Sequence, residues 1–338
     1  MLPLSSALID HVTRFRAGEG AAWLERLPGI VASCCEEWSL ALGEPLPVGS
    51  LSYLAPATRE DGTQALLKVG LLRGEVSPEA AALRVYDGHG AVRLLDASEE
   101  DGALLLERAV PGTPVSDAPD EDAVRVAASA MRRLLRPALS AHAFPSVADW
   151  ASDLRSLRER FGGGAGPFPE SVVDEAECLL VGLCSSAPQT TLLHGDLHHG
   201  NILRAEREPW LAVDPKGFVG EPACEVGPFL LNGLEGVSEL RALLDRRVRQ
   251  FAEELDLDAE RIRAWGMVRA VLAGWWSIED SGHLWPNALA CARLLTNARV
   301  GVSWDRGATA PERGRGRGTD TPDAALDAQV QDPQCDGH

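Results

Sequence analysis

The chain has 338 residues, of which 45% are apolar, and a formal net charge of −18 at pH 7. This length can bury a large core and suggests two lobes or domains, and the chain has no apolar run of membrane-spanning length. The acidic balance argues against a nucleic-acid partner, because phosphate backbones require a basic surface; if it does more than maintain solubility, it favours a neutral or cationic small molecule.

The cysteines and the amino-terminal segment indicate the compartment. The seven cysteines form no C-x-x-C pair, which argues against a disulfide framework or a thiolate zinc site and is typical of a reducing cytosol. The segment MLPLSSALIDHVTRFRAGEG lacks the basic stretch and long apolar core of an export signal. We therefore expect a cytoplasmic protein that binds a small molecule, with no membrane partner and no evident protein partner.

The first part of the chain predicts a helical lead-in followed by a β-hairpin. Residues 5–42 alternate apolar and charged positions at helical spacing and end at Gly43, a plausible helix stop. The strand segments LSYLAPA and QALLKVG follow, and the turn between them contains Asp61 and Gly62, the residue pair of a tight hairpin.

A short helix and two more strands complete a small β-rich N-lobe over residues 1–108. Ser77 as the N-cap and Pro78 at the first helical position predict a helix in SPEAAALRVYDGHG, which ends at glycines. The segments AVRLLDA and ALLLERA then predict two strands joined by the acidic turn SEEDG.

A change of composition predicts the next boundary. VPGTPVSDAPD is rich in proline and glycine, and we place a hinge or linker over 109–118. Helices predominate over 119–303, the predicted C-lobe, except where short strands return over 190–218. Residues 304–338 are rich in Gly, Pro, Asp and Arg and nearly lack large apolar side chains, which predicts disorder.

The segment LLHGDLHHGN contains three histidines, an aspartate and an asparagine within a few residues. Two imidazoles could ligate zinc from one helical face. However, Gly195 and Gly200 favour a loop, and no acidic or cysteine third ligand lies at a familiar spacing.

A second interpretation of this segment begins at Asp196. Asn201 lies five residues on, and Asp214 lies thirteen further. A carboxylate, a carboxamide and a second carboxylate can converge on one point. Phosphoryl transfer needs such groups, as a base near the acceptor hydroxyl and as oxygen ligands for Mg²⁺.

Lysine is rare in this chain, since Lys68 and Lys216 are the two lysines among 32 basic residues. Lys68 lies late in a predicted strand, and Glu79, eleven residues later on the next helix, is available to hold its ammonium toward the phosphates of a nucleotide. A solvated strand lysine is the alternative, which the joint occurrence of Lys68 with the polar residues of the loop disfavours.

HGDLHHGN followed by DPKG resembles the catalytic loop and the metal-binding triplet of aminoglycoside phosphotransferases. The order of LLKVG, LLLERAVPGT, HGDLHHGNIL and EPWLAVDPKGFVGEPACE is similar to that of the aminoglycoside/hydroxyurea phosphotransferase family, which includes streptomycin 6-kinases. The resemblance implies an α+β, protein-kinase-like two-lobe fold with a small β-rich N-lobe and a larger helical C-lobe. It also implies transfer of the γ-phosphoryl group of ATP, with Mg²⁺, to a hydroxyl.

The same resemblance gives a role to each matching residue. Asp196 would be the catalytic base, and Asn201 and Asp214 would bind Mg²⁺. Lys68 would contact the α- and β-phosphates, with Glu79 as its partner. Glu107 and Ala109, at the hinge, would offer backbone groups to the adenine edge. His194 and His198 would brace the loop.

Two departures from the kinase pattern are visible. The phosphate-covering loop should lie at PVGSLSY, where Gly49 and Ser50 are the candidate contacts, but it has one glycine where protein kinases have three. The metal-binding triplet is DPK in place of DFG. Lys216 of this triplet could approach the transferred phosphoryl group or pair with Glu221, and the sequence leaves both open.

The acceptor is the least marked part of the site. Streptomycin has two guanidinium groups, which pair well with carboxylates, whereas hydroxyurea is neutral and needs none. The candidate carboxylates are Glu221, Glu225, Glu279 and Asp280. A position on a surface helix explains Glu279 and Asp280 equally well. We expect an antibiotic phosphotransferase acting on streptomycin. The alternatives are a kinase for hydroxyurea or another small metabolite, and a nucleotide-binding pseudokinase that serves as an interaction module.

Overall fold

The computed structural model describes residues 2–15, 17–47, 51–71, 73–137 and 144–296. The helices are α1 (Ser6–Phe15), α2 (Ala17–Glu37), α3 (Arg73–Tyr86), α4 (Asp120–Leu134), α5 (Trp150–Arg160), α6 (Glu170–Ser185), α7 (Gly227–Leu231), α8 (Leu240–Leu255), α9 (Ala259–Ser281) and α10 (Pro286–Leu295). The strands are β1 (Leu40–Leu42), β2 (Ser52–Arg59), β3 (Gln64–Gly70), β4 (Leu94–Ser98), β5 (Ala103–Glu107), β6 (Pro111–Pro114), β7 (Arg136–Pro137), β8 (Thr191–Leu193), β9 (Ile202–Ala205), β10 (Trp210–Ala212) and β11 (Phe218–Gly220). Among the described helices, none combines the length and apolarity needed to cross a bilayer.

An antiparallel sheet with the order β1-β2-β3-β5-β4 forms the amino-terminal part. The predicted hairpin between β2 and β3 is confirmed. Arg59 donates its N–H to the carbonyl of Thr63, and Gly62 has a φ of +86°, which a side chain with a Cβ rarely adopts.

The apolar run in β5 is explained by burial on both faces of this sheet. Successive side chains of a strand point to opposite faces. Leu105 packs with α1 and α2 in a smaller hydrophobic cluster that contains Leu8 and Trp23. Leu104 and Leu106 belong to the larger cluster, which includes α3 and the carboxy-terminal helices.

The carboxy-terminal part is mainly helical and holds two small sheets that position the polar loop. Their strand orders are β10-β9-β6 and β11-β8-β7. The loop 194–201 connects β8 to β9, and the segment 213–217 connects β10 to β11. Because both connections join the same two sheets, the fold brings the two predicted polar segments together.

Two predicted helix boundaries are wrong. The predicted lead-in helix reaches residue 42, but α2 ends at Glu37, Ser39 takes a left-handed φ of +53°, and β1 pairs with β2 as the edge strand. The second helix was expected to begin at Pro78. Instead α3 begins at Arg73, and the hydroxyl of Ser77 donates to Glu99 rather than capping the helix.

Part of the predicted linker over 109–118 is a strand, because β6 pairs with β9. The lobe boundaries at 108 and 119 stay predictions. The predicted disordered tail, 304–338, lies outside the described residues, as does the last part of the predicted C-lobe beyond residue 296.

Candidate active site

Lys68 on β3 lies between two carboxylates from different parts of the chain. Its Nζ donates to Oε2 of Glu79 on α3 at 2.7 Å and to Oδ1 of Asp214, after β10, at 2.6 Å. The structure therefore joins the strand lysine to the helix glutamate, as the sequence predicted, and also brings the aspartate of the triplet to the same ammonium.

Burial and charge act against each other in this cluster. Burial alone would lower the pKa of Lys68, but the carboxylates of Glu79 and Asp214 raise it. Burial alone would raise the pKa of Asp214, but the ammonium groups of Lys68 and Lys216 hold it well below its ordinary value. Burial raises the pKa of Glu79, whose Oε1 has no hydrogen-bond partner within the described protein.

Asp196 lies in the loop after β8, with its carboxylate about a quarter exposed. Its backbone N–H donates to Nδ1 of His194 at 3.3 Å, and its carbonyl accepts from the side-chain nitrogen of Asn201 at 2.9 Å. The Nε2 of His198 lies 3.8 Å from Oδ2 of Asp196. The loop thus fixes the backbone of Asp196 and leaves its carboxylate partly open to solvent.

The beginning of this loop rests on buried groups. The backbone N–H groups of His194 and Gly195 donate to the two oxygens of Glu225, at 2.6 and 3.0 Å. Nε2 of His194 lies 2.9 Å from the carbonyl of Val213, which fits a neutral ring that donates there. Burial lowers the pKa of His194 to about 4 and raises that of Glu225 to about 7.

The three histidines of the loop have separate partners. His194 contacts Val213, whereas His198 accepts the N–H of Gly200. His199 stacks on Phe229, with ring centroids 3.8 Å apart. The imidazoles therefore support the loop in different directions, which disfavours the zinc interpretation.

Asn201 and Asp214 fit a magnesium ion chemically. The side-chain nitrogen of Asn201 is engaged with Asp196, which leaves its side-chain oxygen as the ligand atom. Together with the Asp214 carboxylate this provides hard oxygen ligands. Among the described residues no group of three or more His, Cys, Asp and Glu could hold a metal alone, so an ion here would take its remaining ligands from phosphate and water.

Arg269 contacts Asp196 and was missed by the sequence reasoning. Its Nη2 lies 3.3 Å from Oδ1 of Asp196. Its guanidinium carbon lies 4.8 Å from the ring centroid of Trp276 and 5.6 Å from that of Trp150. One signal could have identified it, because Arg269 is a lone charge in the apolar run AWGMVRAVLAGWW of α9.

The predicted nucleotide contacts are only partly described. Gly49 and Ser50 lie outside the described residues. The N–H of Glu107 donates to the carbonyl of Arg93, and its carboxylate pairs with Arg207 at 2.6 Å. That N–H is therefore engaged within the protein, and the predicted contacts of Glu107 and Ala109 with an adenine edge stay predictions.

The structure argues against two of the four predicted acceptor carboxylates. Glu221 is buried, pairs with Arg261 at 2.6 Å and accepts the indole N–H of Trp265 at 2.8 Å. Glu225 is buried beneath the loop. We correct both assignments, because a side chain occupied in this way is not available to a substrate guanidinium.

Glu279 and Asp280 lie exposed in the last turns of α9, beyond Arg269 and Trp276. A further carboxylate lies next to this part of the helix. Asp153 on α5 is partly buried and accepts the indole N–H of Trp276 at 3.2 Å. Burial raises the pKa of Asp153 against the effect of this hydrogen bond.

This chain is similar in sequence to a family of antibiotic resistance kinases and to individual relatives. The family model for aminoglycoside/hydroxyurea antibiotic resistance kinases matches residues 38–281. Streptomycin 6-kinase of Streptomyces griseus is 34% identical over 303 residues, which cover 85% of this chain and 95% of the relative. Hydroxyurea phosphotransferase of Kitasatospora aureofaciens is 35% identical over 306 residues, which cover 87% and 86%. The predicted family resemblance is confirmed.

The fold is similar to that of a thermostable mutant of aminoglycoside phosphotransferase APH(4)-Ia, solved in a ternary complex with ADP and hygromycin B. The TM-score is 0.56 at 15% identity, and the match covers 78% of this chain and 97% of that one. Likeness at this identity shows the fold, and it confirms the predicted α+β, kinase-like two-lobe architecture.

Proposed function

We propose an acceptor for this enzyme, which belongs to the aminoglycoside/hydroxyurea antibiotic resistance kinase family and transfers a phosphoryl group to a hydroxyl. The acceptor is streptomycin, and the donor is ATP. The meeting of Lys68, Glu79 and Asp214 from three separate segments is the observation that supports this donor site, since an ion-paired lysine beside a metal-binding aspartate is the arrangement that phosphoryl transfer requires.

Asp196 takes the proton of the acceptor hydroxyl in this proposal. Arg269 orients its carboxylate from one side, at 3.3 Å, and the backbone contacts with His194 and Asn201 hold the loop. Lys68 binds the α- and β-phosphates while Glu79 holds its ammonium. Mg²⁺, held by Asn201 and Asp214, supplies positive charge to the phosphates when it is bound. Catalysis comes mainly from positioning and from charge neutralisation.

Streptomycin fits the acidic surroundings of the acceptor side. Asp153, Glu279 and Asp280 lie on or against the carboxy-terminal part of α9, the helix that also supplies Arg269 next to Asp196. Carboxylates in this region suit a dication with guanidinium groups. Asp153 replaces the two buried glutamates in the set of candidates.

Hydroxyurea is the second candidate acceptor. It is favoured by the 35% identity to hydroxyurea phosphotransferase, which is similar to the 34% identity to each of the two streptomycin 6-kinases. It would occupy the same position before Asp196. Because hydroxyurea is small and neutral, it would not engage the acidic residues around α9.

An ATP-consumption screen of the purified chain tests the proposal. We expect turnover with streptomycin and none with simple sugars, and Asp196→Asn serves as the inactive control. Turnover with hydroxyurea alone would transfer the assignment to the second candidate. The absence of turnover with every antibiotic and small metabolite, together with intact ATP binding, would favour the pseudokinase alternative.

Neutral variants of the acceptor-side carboxylates separate the two candidates. Among Asp153→Asn, Glu279→Gln and Asp280→Asn, at least one should raise KM for streptomycin by about one to two decades and leave KM for ATP unchanged, because a charged hydrogen bond is lost. Glu253→Gln, at an exposed position on α8, is the matched control. Unchanged streptomycin kinetics in all three variants would remove these carboxylates from the site.

A further inference from the structure

Lys216 lies on the same carboxylate as Lys68. Its Nζ is 3.4 Å from Oδ1 and 3.3 Å from Oδ2 of Asp214, while the Nζ of Lys68 is 2.6 Å from Oδ1. The side chain of Lys216 is 31% exposed, compared with 12% for Lys68. Asp214 therefore contacts two ammonium groups: the less exposed one of Lys68, at one oxygen, and the more exposed one of Lys216, at both oxygens.

Lysine usage indicates that these two positions require an ammonium group. The chain has 32 basic residues and two lysines, and both lysines contact Asp214. Elsewhere the chain uses arginine for surface charge and for structural ion pairs. A compact ammonium on a flexible stem can change partners within a small space, whereas a planar guanidinium is larger and directs its donors in fixed directions.

The backbone holds Lys216 beside the catalytic loop. Its N–H donates to the carbonyl of His194 at 2.7 Å, and the N–H of Gly217 donates to the same carbonyl at 3.3 Å. A Cβ placed on Gly195 would lie 3.5 Å from the Cβ of Lys216. The side chain of Lys216 therefore begins beside Gly195, the residue before the predicted base, and ends at Asp214, the predicted metal ligand.

The ammonium of Lys216 lies where a metal nucleotide would bring new charge. The ion pairs of the described site join Glu79, Asp196 and Asp214 to Lys68, Lys216 and Arg269. Lys216 occupies the two oxygens that a metal at Asp214 would use. A divalent ion held there would repel the ammonium, and the phosphates of a nucleotide would offer it a new anionic partner.

We propose that Lys216 is a catalytic residue that exchanges Asp214 for the γ-phosphoryl oxygens of the bound nucleotide and stabilises their charge during transfer. The inference rests on the proposed function, because it needs a metal nucleotide at Asp214. In the step, the acceptor oxygen forms a bond to the γ-phosphorus, and the bond to the bridging oxygen breaks with its electron pair going to ADP. The acceptor proton goes to Asp196, and Lys216 stays protonated throughout.

Binding of two nucleotides that differ in the γ-phosphate tests this role without an acceptor. The probes are ADP and the β,γ-imido analogue of ATP, each with Mg²⁺, measured by calorimetry on the wild type and on Lys216→Met. We expect the variant to bind the analogue about tenfold or more weakly and ADP nearly as well as the wild type. Once an acceptor substrate is identified, kcat should fall by about 10²-fold, and KM for ATP should rise in line with the weaker binding of the analogue.

Lys68→Met is the matched control. Because Lys68 contacts the α- and β-phosphates in the proposed function, this variant should bind ADP and the analogue more weakly to the same extent. Equal weakening of both nucleotides by Lys216→Met would mean that Lys216 acts only by positioning Asp214, and unchanged binding of both would remove it from the site. Either result overturns the proposal. Lys216→Gln replaces Lys216→Met if thermal unfolding shows that the methionine variant does not fold.

Nucleotide binding needs no antibiotic, so a failure of the streptomycin assignment does not affect this comparison. Loss of all nucleotide binding in the wild type would instead overturn the donor site and the proposed function together. The two failures are therefore distinguishable.

Discussion

Ion pairs hold together the proposed donor half of the site, which consists of Lys68, Glu79, Asp214 and Lys216. The acceptor half is held differently: Asp196 is positioned by backbone hydrogen bonds and by Arg269, which packs against Trp150 and Trp276.

The difference shows how each half should respond to substitution. The donor half depends on charges that neutralise one another around the buried Glu79 and the nearly buried Lys68, so the loss of one partner leaves the others uncompensated. The acceptor half depends on a loop whose backbone is fixed independently of the Asp196 side chain. A side-chain change there should affect chemistry and leave nucleotide binding intact.

The largest effect is expected for Asp196→Asn. The variant retains the shape of the side chain and the backbone contacts of the loop but removes the proton acceptor, so kcat should fall by about 10²-fold or more with nearly unchanged ATP binding. Steady-state kinetics and nucleotide titration measure the two quantities. Retained turnover would show that Asp196 is not the base.

In the donor half, Lys68→Arg and Glu79→Ala should each lower kcat/KM for ATP by about one to two decades. A guanidinium is larger than the ammonium that contacts Glu79 and Asp214 and directs its donors differently, and without Glu79 the lysine is left on Asp214 alone. Glu99→Ala, which removes an exposed carboxylate paired with Arg84, is the control on the same part of the fold. Wild-type kinetics in Glu79→Ala would contradict the pairing.

A smaller effect, about a tenfold loss of kcat, is expected for Arg269→Met, since Asp196 keeps its backbone contacts but loses the group that orients its carboxylate. Binding of ATP should not change. Arg263→Met is the matched control on the same helix, because Arg263 pairs with Asp245. A loss of ATP affinity in Arg269→Met would contradict the separation of the two halves.

The last effect is on stability, with no change expected in catalysis, and it arises beneath the acceptor loop. The folded pKa of Glu225, about 7, lies above its ordinary value near 4.5, so this group contributes stability at low pH that is lost as the pH rises through 7. The folded pKa of His194, about 4, lies below its ordinary value near 6.5, so its contribution is present above 6.5 and is lost as the pH falls through 4. The two groups oppose each other over the weakly acidic range.

In Glu225→Gln, stability should lose the pH dependence that comes from Glu225 and retain the one that comes from His194. The stability advantage of the wild type over this variant should shrink by about 3 kcal/mol between about pH 4.5 and 7, because one pKa unit corresponds to about 1.4 kcal/mol. Urea unfolding of both proteins across this range measures the advantage. A constant difference would mean that Glu225 remains ionised in the fold.

The sequence predicted that Glu79 pairs with Lys68, and the structure has this contact at 2.7 Å, while the roles of the site residues stay predictions. The HGDLHHGN loop and the DPK triplet have fixed spacings, and Lys68 stands out in a chain with almost no lysine. The same evidence was misleading for Glu221, which lies just after the triplet but pairs with Arg261, a partner that no local pattern identifies.

By itself, the sequence determined the hairpin at Gly62 from turn residues between two strand patterns, and it determined the family and the kinase-like fold through the resemblance of its motifs to a known family. Only the tertiary structure decided that Arg269 meets Asp196, that Glu225 supports the loop from below, that residues 40–42 form an edge strand and that Lys216 lies on Asp214. Each of these depends on which distant segments pack together, since burial and ion pairing are properties of neighbours in space, and a segment does not encode its neighbours in its own residues.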